Sequence, residues 1–540
     1  MAANLEINLN TESKLHFNSL YLHTAMAAAT KFYGREIEIF QVAEDNNSEG
    51  LTRRLQINDN SVFINQLIYS GNISNRLKYN AGAGVNYVIG KEPDRRIMMF
   101  PSIGNGMVQL GMGEGRNQRF NSSVTETAVL PKINVQYLLS ADPEKISYLE
   151  LGYDSRISSK DFSAPIYNYY WAGAPGTAPT FSVNDMHLDA YFNQENLSEG
   201  DFRLEHFNDT YQVRRNNHGI YADLIHKFGS KLTLNTGLRA DNIYTEINYE
   251  VNRGADVGSN TIEGLFLSPS LNAKYELNEK NHIRTGVSRT YTLPQDKEIS
   301  PFIYQGIDGN DNGNPNLEVS TNYNFDLKWD YYISSGELLT LNGFYKHISD
   351  PIARVDQGNS AGLRTYDNVS DHAVATGIEL ELRKSLFAIG QKQQWYAGLN
   401  ASYIYTKVEL DPAFFVQNTS SGLEGAAPYI LNADVTYTLK TNRNLGITSA
   451  LVLNYVSDKV HTIGTRGYNN LIEESFTTLD LVTSLGIRDN LRLTLKAKNL
   501  LNPEYKLSRK GTAAEGGSQA VITRSYRRGV LLDFGIACKF

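Results

Sequence analysis

The chain alternates apolar and polar residues over long stretches. In Asn314–Val355, Tyr323, Phe325, Leu327, Trp329 and Tyr331 fall on one face and Asn324, Asp326, Lys328 and Asp330 on the other. A repeat of two residues is the signature of a strand with one apolar and one polar side. Ser334, Ser335, Gly336 and Glu337 then form a tight turn, and LLTLNGFYK begins a second strand. The result is an antiparallel hairpin whose strands exceed the usual ~5–6 residues. Arg76–Gly90 carries the cleanest alternation, with Leu77, Tyr79, Ala81, Ala83, Val85, Tyr87 and Ile89 opposite Lys78, Asn80, Gly82, Gly84 and Asn86.

The pattern repeats from end to end. Turns are predicted at Thr11–Ser13, Ser74–Asn75, Ser140–Glu144, Gly229–Lys231, Asn278–Asn281, Ser334–Glu337, Gly390–Gln393, Thr441–Asn444 and Asp489–Asn490. Between them fall longer loops, among them about 25–50, 91–116, 172–200, 252–263 and 296–316, and the last strand is placed at about Val521–Phe540. About 19 strands result. Short turns at one end and long loops at the other describe an all-β fold, a transmembrane antiparallel up-and-down β-barrel over residues 1–540 as one domain. The first two strands meet at a short turn, so an odd number of upstream strands is expected. Three would give 22, the size of plugged outer-membrane transporters.

In such a barrel the apolar faces meet lipid and the polar faces line the lumen. Ile378, Leu380 and Leu382 would face lipid, and Glu379, Glu381 and Arg383 the lumen. A charge misplaced onto lipid costs roughly 2–4 kcal/mol at the midplane, which fixes the register.

Composition changes this picture little. The 540 residues carry a formal charge of -7, with no basic stripe, which argues against a nucleic-acid partner. Tyr (33) and Phe (22) are plentiful, and hydrophobic residues make up 41%. Mean hydropathy is -0.38. No run of about 18 apolar residues exists, so no transmembrane helix is predicted. The one cysteine, Cys538, excludes a disulfide framework and reads as packing. MAANLEINLNTESKLHF enters strand at once, without a secretory leader, so the chain is expected to be part of a longer precursor.

Several stretches in this order resemble the barrel of a TonB-dependent outer-membrane receptor of the Bacteroidota type. They are PSLNAKYELNEKNHIRTGVSRTYTLP (Pro269–Pro294), GNPNLEVSTNYNFDLKWDYY (Gly313–Tyr332), SGELLTLNGFYKHISDPI (Ser335–Ile352), GIELELRK (Gly377–Lys384), GLEGAAPYILNADVTY (Gly422–Tyr437), LNYVSDKVHTIG (Leu453–Gly464) and KNLLNPEYKLSRKG (Lys498–Gly511). The end of the chain is similar to an outer-membrane barrel-assembly signal at Asp533, Gly535 and Phe540, with Cys538 where an aromatic is usual. Its bland counterpart is an edge strand with Leu532, Phe534, Ile536 and Cys538 on its other face.

The resemblance implies an outer-membrane receptor for uptake of a scarce ligand: a siderophore-bound metal, a cobalamin or an oligosaccharide. Its implied partners are outer-membrane lipid and lipopolysaccharide, the barrel-assembly machinery, the transported ligand, and the TonB complex acting through an upstream plug. The alternatives are a passive porin, a surface-binding barrel, or a soluble all-β protein.

Candidate sites are few. Tyr167, Tyr169, Tyr170 and Trp171 sit near a strand top, as an interfacial aromatic belt or as stacking surfaces for a sugar or aryl ligand. Arg95 and Arg96, like Arg53 and Arg54, would take an anionic ligand or lipopolysaccharide phosphate, or serve as solvated rim charge. Asp308, Asn310, Asn312 and Gly313 resemble the start of a calcium loop. Val319 stands where the bidentate Glu belongs, and Pro315 intrudes, so an ordinary polar loop is the reading. Met98, Met99, Met107 and Met112 fit either soft-metal binding or an apolar loop. No cofactor is expected. With no HExxH, CxxC, phosphate loop or Ser/His/Asp arrangement, no enzyme is predicted.

Overall fold

The computed structural model describes residues 1–35, 49–111, 116–142, 145–174, 177–306, 309–358, 362–390, 392–411, 418–441, 445–465, 468–488, 490–511 and 520–539. Among them, nineteen strands form one antiparallel meander. They are β1 (Ala2–Asn8), β2 (Ser13–Arg35), β3 (Glu49–Ser74), β4 (Leu77–Gly104), β5 (Asn117–Ser140), β6 (Ser147–Trp171), β7 (Phe202–Phe228), β8 (Leu232–Val251), β9 (Asp256–Asn278), β10 (Asn281–Thr292), β11 (Ser320–Ser334), β12 (Glu337–Ser349), β13 (His372–Ile389), β14 (Gln393–Glu409), β15 (Tyr429–Lys440), β16 (Leu445–Val456), β17 (Phe476–Ile487), β18 (Leu491–Lys498) and β19 (Leu531–Cys538). Each strand pairs with its neighbours in sequence; β1 and β19 each have one neighbour in the ladder. Connections at one end have two to six residues. At the other end most have twelve or more.

Cross-strand pairs explain the exposed apolar side. Phe63 of β3 lies opposite Tyr87 of β4, and Val85 opposite Val129 of β5. Leu77 faces Tyr137, and in the β11–β12 hairpin Phe325 faces Tyr345 and Trp329 faces Leu341. All of these but Leu77 are exposed. A sheet that turns large apolar side chains outward while burying Asp330, Asp241 and Glu126 is inverted relative to a water-soluble protein, as a lipid-facing wall requires. On the other face Asn342 donates to Glu379 at 3.0 Å, Arg383 pairs with Glu381 at 2.7 Å, and Asp330 takes Thr340 and Arg284. The predicted lumenal and lipid sides of β13 both hold. At the long-loop end Arg524 lies 4.9 Å over the Phe32 ring of β2. A residue just before β19 thus meets the second strand, so the sheet curls round on itself.

Three predicted loops are partly strand. β2 runs on to Arg35, which pairs with Glu49; β4 continues to Gly104; and only the turn 252–255 separates β8 from β9, with Asn252, Arg253 and Gly254 at positive φ. Spanning a bilayer takes about 9–11 residues of strand. Beyond that, water wets both faces, apolar alternation stops, and backbone pairing continues. Val521–Phe540 is not one strand. Ala520–Arg527 pairs with Glu504–Lys510 in a separate small sheet, and the chain breaks at Gly529 (φ +80°) before β19. Segment 172–201 holds a short strand, Thr180–Ser182, a 3₁₀ turn and the helix α1 (Gln194–Glu199), capped by the Asn193 side chain.

Candidate functional site

At the long-loop end, residues 293–306, which follow β10, pack against the lumenal face. A four-residue helix, α2 (Asp296–Ile299), opens this segment, with Gln295 and Glu298 closing a capping box. Ile299 is buried with Val213, Ile247, Leu317 and Tyr366. Phe302 packs with Phe120, Ala164, Ile166 and Val251. Ladder parity puts the wall members of both clusters on the lumenal side, since their neighbours Ile157, Ile220 and Leu238 are exposed on the lipid side. Gly313 is required here: a Cβ on it would lie 1.8 Å from the Ser300 carbonyl oxygen.

Ion pairs fasten the segment to the wall. Asp296 bonds Lys160 of β6 and Arg215 of β7. Lys160 also reaches Glu126 at 3.2 Å, and Glu126 bonds Arg156. Burial pushes the Asp296 carboxyl up, but hydrogen bonds and charge from Arg215 and Lys160 outweigh it and hold the group below its usual range. Asp311 takes Arg364 at 2.8 Å and Lys297 at 3.1 Å. Along another part of the wall, Arg239 holds Asp154 with two bonds (2.7 and 2.8 Å) and Asp241 at 2.9 Å. They line a cleft of about 360 Å³ with Lys132 and Tyr291.

A second cleft, of about 410 Å³, lies beside the inward segment, lined by Arg95, Gln118, Phe120, Arg253, Ile303 and Gln305, among others. Arg95 is 1% exposed. Its guanidinium sits 3.8 Å over Phe120 and 5.1 Å from the Tyr304 ring. It stands past the alternating run that crosses the membrane. Burial pushes its pKa down to about 10, against the opposing pull of Glu92.

The six candidate ligand residues divide between two faces. Register shifts between Glu92 and Arg95, where Asp94 takes a positive φ (53°), and the added residue turns Arg95 inward opposite Phe120. Arg96 then faces outward opposite Arg119 and bonds Asp94 at 2.6 Å. Arg119 pairs with Tyr167, so Tyr167, Tyr169 and Trp171 share that outer face. Tyr169 lies 4.8 Å from Phe192 and 5.7 Å from Phe202, Tyr167 lies 4.5 Å from His206, and Trp171 lies 6.4 Å from Tyr191. Phe192 and Tyr191, before β7, cover Tyr169 and Trp171. Tyr170 points inward, donating to Glu205 at 2.7 Å and accepting from Arg253 at 3.4 Å. Only Arg95 and Tyr170 therefore share the lumenal side.

The other candidates are dispersed. Asn310 and Asn312 lie in a short strand paired with Ile303–Gln305, and Asp311 between them faces cations; Asp308 is outside the described residues. Met98 is buried with Leu51, Phe100, Val108 and Leu110. Met99 takes the opposite face, and Met112 lies outside the described residues. Asp533 faces Lys496 and lies 3.8 Å from Lys498, Gly535 faces Thr494, and Cys538 is exposed; Phe540 is outside the described residues. Sequence reading passed over Asp296, Lys160, Arg215 and Glu92. Isolated charges at strand tops carry no spacing signal.

The family described as TonB dependent receptor-like, beta-barrel matches residues 8–500. The iron-regulated outer membrane virulence protein of Vibrio cholerae serotype O1 is 24% identical over 263 residues, 47% of this chain and 38% of that protein. The match thus takes in well under two thirds of that relative. Among solved structures, the siderophore receptor PiuA from Acinetobacter baumannii superposes with a TM-score of 0.57 at 12% identity, covering 100% of this chain and 79% of that one. The copper transporter OprC gives 0.56 at 12% identity, over 98% and 76%. The ferric citrate transporter FecA, unliganded, gives 0.54 at 11%, over 99% and 77%. At these identities the likeness is one of fold. The outward aromatic wall, the lumenal charges and the family match agree: this chain belongs to the TonB-dependent receptor-like β-barrel family of the outer membrane.

Proposed function

We propose that residues 1–540 form one barrel domain of a receptor that captures a scarce ligand at the outer surface and imports it with energy from the TonB complex. The observation that carries this reading is the inward segment 293–306, fastened by Asp296 to the lumenal wall beside a cleft lined by Arg95 and aromatic side chains. A walled pocket that combines charged and apolar side chains suits a bound ligand better than free flow of small ions. A receptor needs one to hold its ligand before release. The ligand classes in view are a siderophore-bound metal, a cobalamin and an oligosaccharide. The similar siderophore receptor and ferric citrate transporter favour the first.

The lipid face fits outer-membrane lipid and lipopolysaccharide. The end of the chain, with Asp533, Gly535 and Phe540, is proposed as the segment read by the barrel-assembly machinery. The ligand residues carried forward are Arg95 and Tyr170, with Tyr167, Tyr169, Trp171 and Arg96 given to the covered outer face.

The test is uptake of radiolabelled ferric siderophores by cells expressing the full-length protein, with and without a working TonB complex. Uptake that needs the complex supports the reading. Steady conductance in planar bilayers with TonB-independent uptake contradicts it and favours a porin.

A further inference from the structure

One oxygen atom at the top of the lumenal wall is held by two arginines. The backbone carbonyl of Gln305 accepts from Arg54 Nη1 at 2.8 Å and from Arg95 Nη1 at 3.2 Å. Both side chains are more than nine-tenths buried. Their shared carboxylate is Glu92, 3.9 Å from Arg54 and 3.5 Å from Arg95, which also accepts from Tyr304 at 3.4 Å. Two cations facing one anion leave an excess positive charge in a site shielded from water. Among the described residues, the Nε of Arg95 has no hydrogen-bond partner, and neither has Oε1 of Gln305.

A neutral carbonyl is a modest acceptor for guanidinium. A carboxylate or phosphate oxygen is a stronger acceptor for guanidinium and cancels the charge as well. The site opens beside the cleft, where Phe120, Ile166, Phe207 and Ile303 offer an apolar bed. We propose that Arg54 and Arg95 form an oxyanion subsite for a ligand with a flat apolar body, and that Gln305 occupies it as a latch. When the anionic oxygen replaces the carbonyl, strand Ile303–Gln305 loses that hold on the wall, while Asp296 and Phe302 keep theirs. Ligand capture and loosening of Ile303–Gln305 are then one exchange. This subsite rests on the receptor reading and names the chemistry of its ligand.

The test uses the full chain in detergent, with benzoate as probe and its neutral isostere benzamide as comparison. Folding of each variant is checked by heat-modifiable gel mobility. Benzoate binds more tightly than benzamide, by about tenfold, the factor that one charge-assisted bond supplies. Arg54→Gln and Arg95→Gln each remove that preference. Glu92→Gln enlarges it, a gain that a misfolded protein does not produce. Arg96→Gln, on the outer face, leaves it in place. A nitroxide at Gln305→Cys, in a Cys538→Ser background, gains mobility with benzoate and not with benzamide. Equal binding of the two probes, no benzoate binding, or a loss with Glu92→Gln overturns the subsite. Because no transport is measured, that failure leaves the uptake reading to its own test.

Discussion

The carboxylate of Asp296, on the segment that enters the lumen, is paired with the guanidinium of Arg215 on the inner wall of β7. The two residues are 81 positions apart in sequence, and their bond ties the mouth of the barrel to its wall. Asp296→Asn removes one buried charge and leaves Lys160 and Arg215 facing each other. We predict that docking of residues 293–306 weakens by about 3 kcal/mol, in line with other broken buried pairs. Hydrogen exchange in that segment should rise while β6 and β7 stay protected.

The same pair sets a pH response. The folded carboxyl is held below its ordinary value of 3.8. Its contribution is therefore complete above that value and is lost as pH falls through the lower, folded value. Exchange in residues 293–306 is expected to be flat from neutral pH to about 4 and to rise only in more acid solution. A rise near pH 6 would point to another group.

Gly313 meets Ser300 too closely to accept a side chain. Gly313→Ala must push the two backbones apart, at a cost of about 1–3 kcal/mol. The expected result is a loosened inward segment, read by proteolysis after Lys297, in a barrel that keeps its heat-modifiable mobility. Gly343, with open space at its Cβ position, serves as the comparison.

Phe302 reaches the wall cluster of Phe120, Ala164 and Ile166. Phe302→Ala empties that contact, and truncating a buried Phe costs about 3–5 kcal/mol. The loss should appear as detachment of the segment, because the strands of the wall keep their own ladders.

The two faces of the β11–β12 hairpin should respond oppositely to charge. Leu327→Lys puts an ammonium toward lipid and is expected to cost about 2–4 kcal/mol of barrel stability. Asp326→Lys, one residue away but lumenal, should change it little. Unfolding in urea from lipid vesicles measures both.

Much of this fold is written in two-residue alternation. Tyr323 to Tyr331 and Leu77 to Ile89 declare their faces because lipid punishes a misplaced charge at every second position. The turns are equally plain, since Ser335-Gly336 and Gly229-Ser230 can only reverse a chain. Above the membrane the rule fails. β4 runs on past Ile89 because pairing there needs no apolar side. The Glu92-Pro93-Asp94 bulge reverses parity, so strict alternation puts Arg96 rather than Arg95 in the lumen. A proline inside a strand was the available signal. The site itself joins β3, β4, β6, β7 and the segment after β10. Nothing local in sequence announces that Gln305 will meet Arg54, 251 positions away.

Each strand shows one face to lipid and the other to an aqueous lumen that holds the site. Nitroxide scanning of residues 323–329 in lipid vesicles tests it most directly. The prediction is that accessibility to oxygen peaks at Tyr323, Phe325, Leu327 and Trp329, and that accessibility to a water-soluble nickel chelate peaks at Asn324, Asp326 and Lys328. Equal access of the chelate to both sets would contradict the barrel and the site placed inside it.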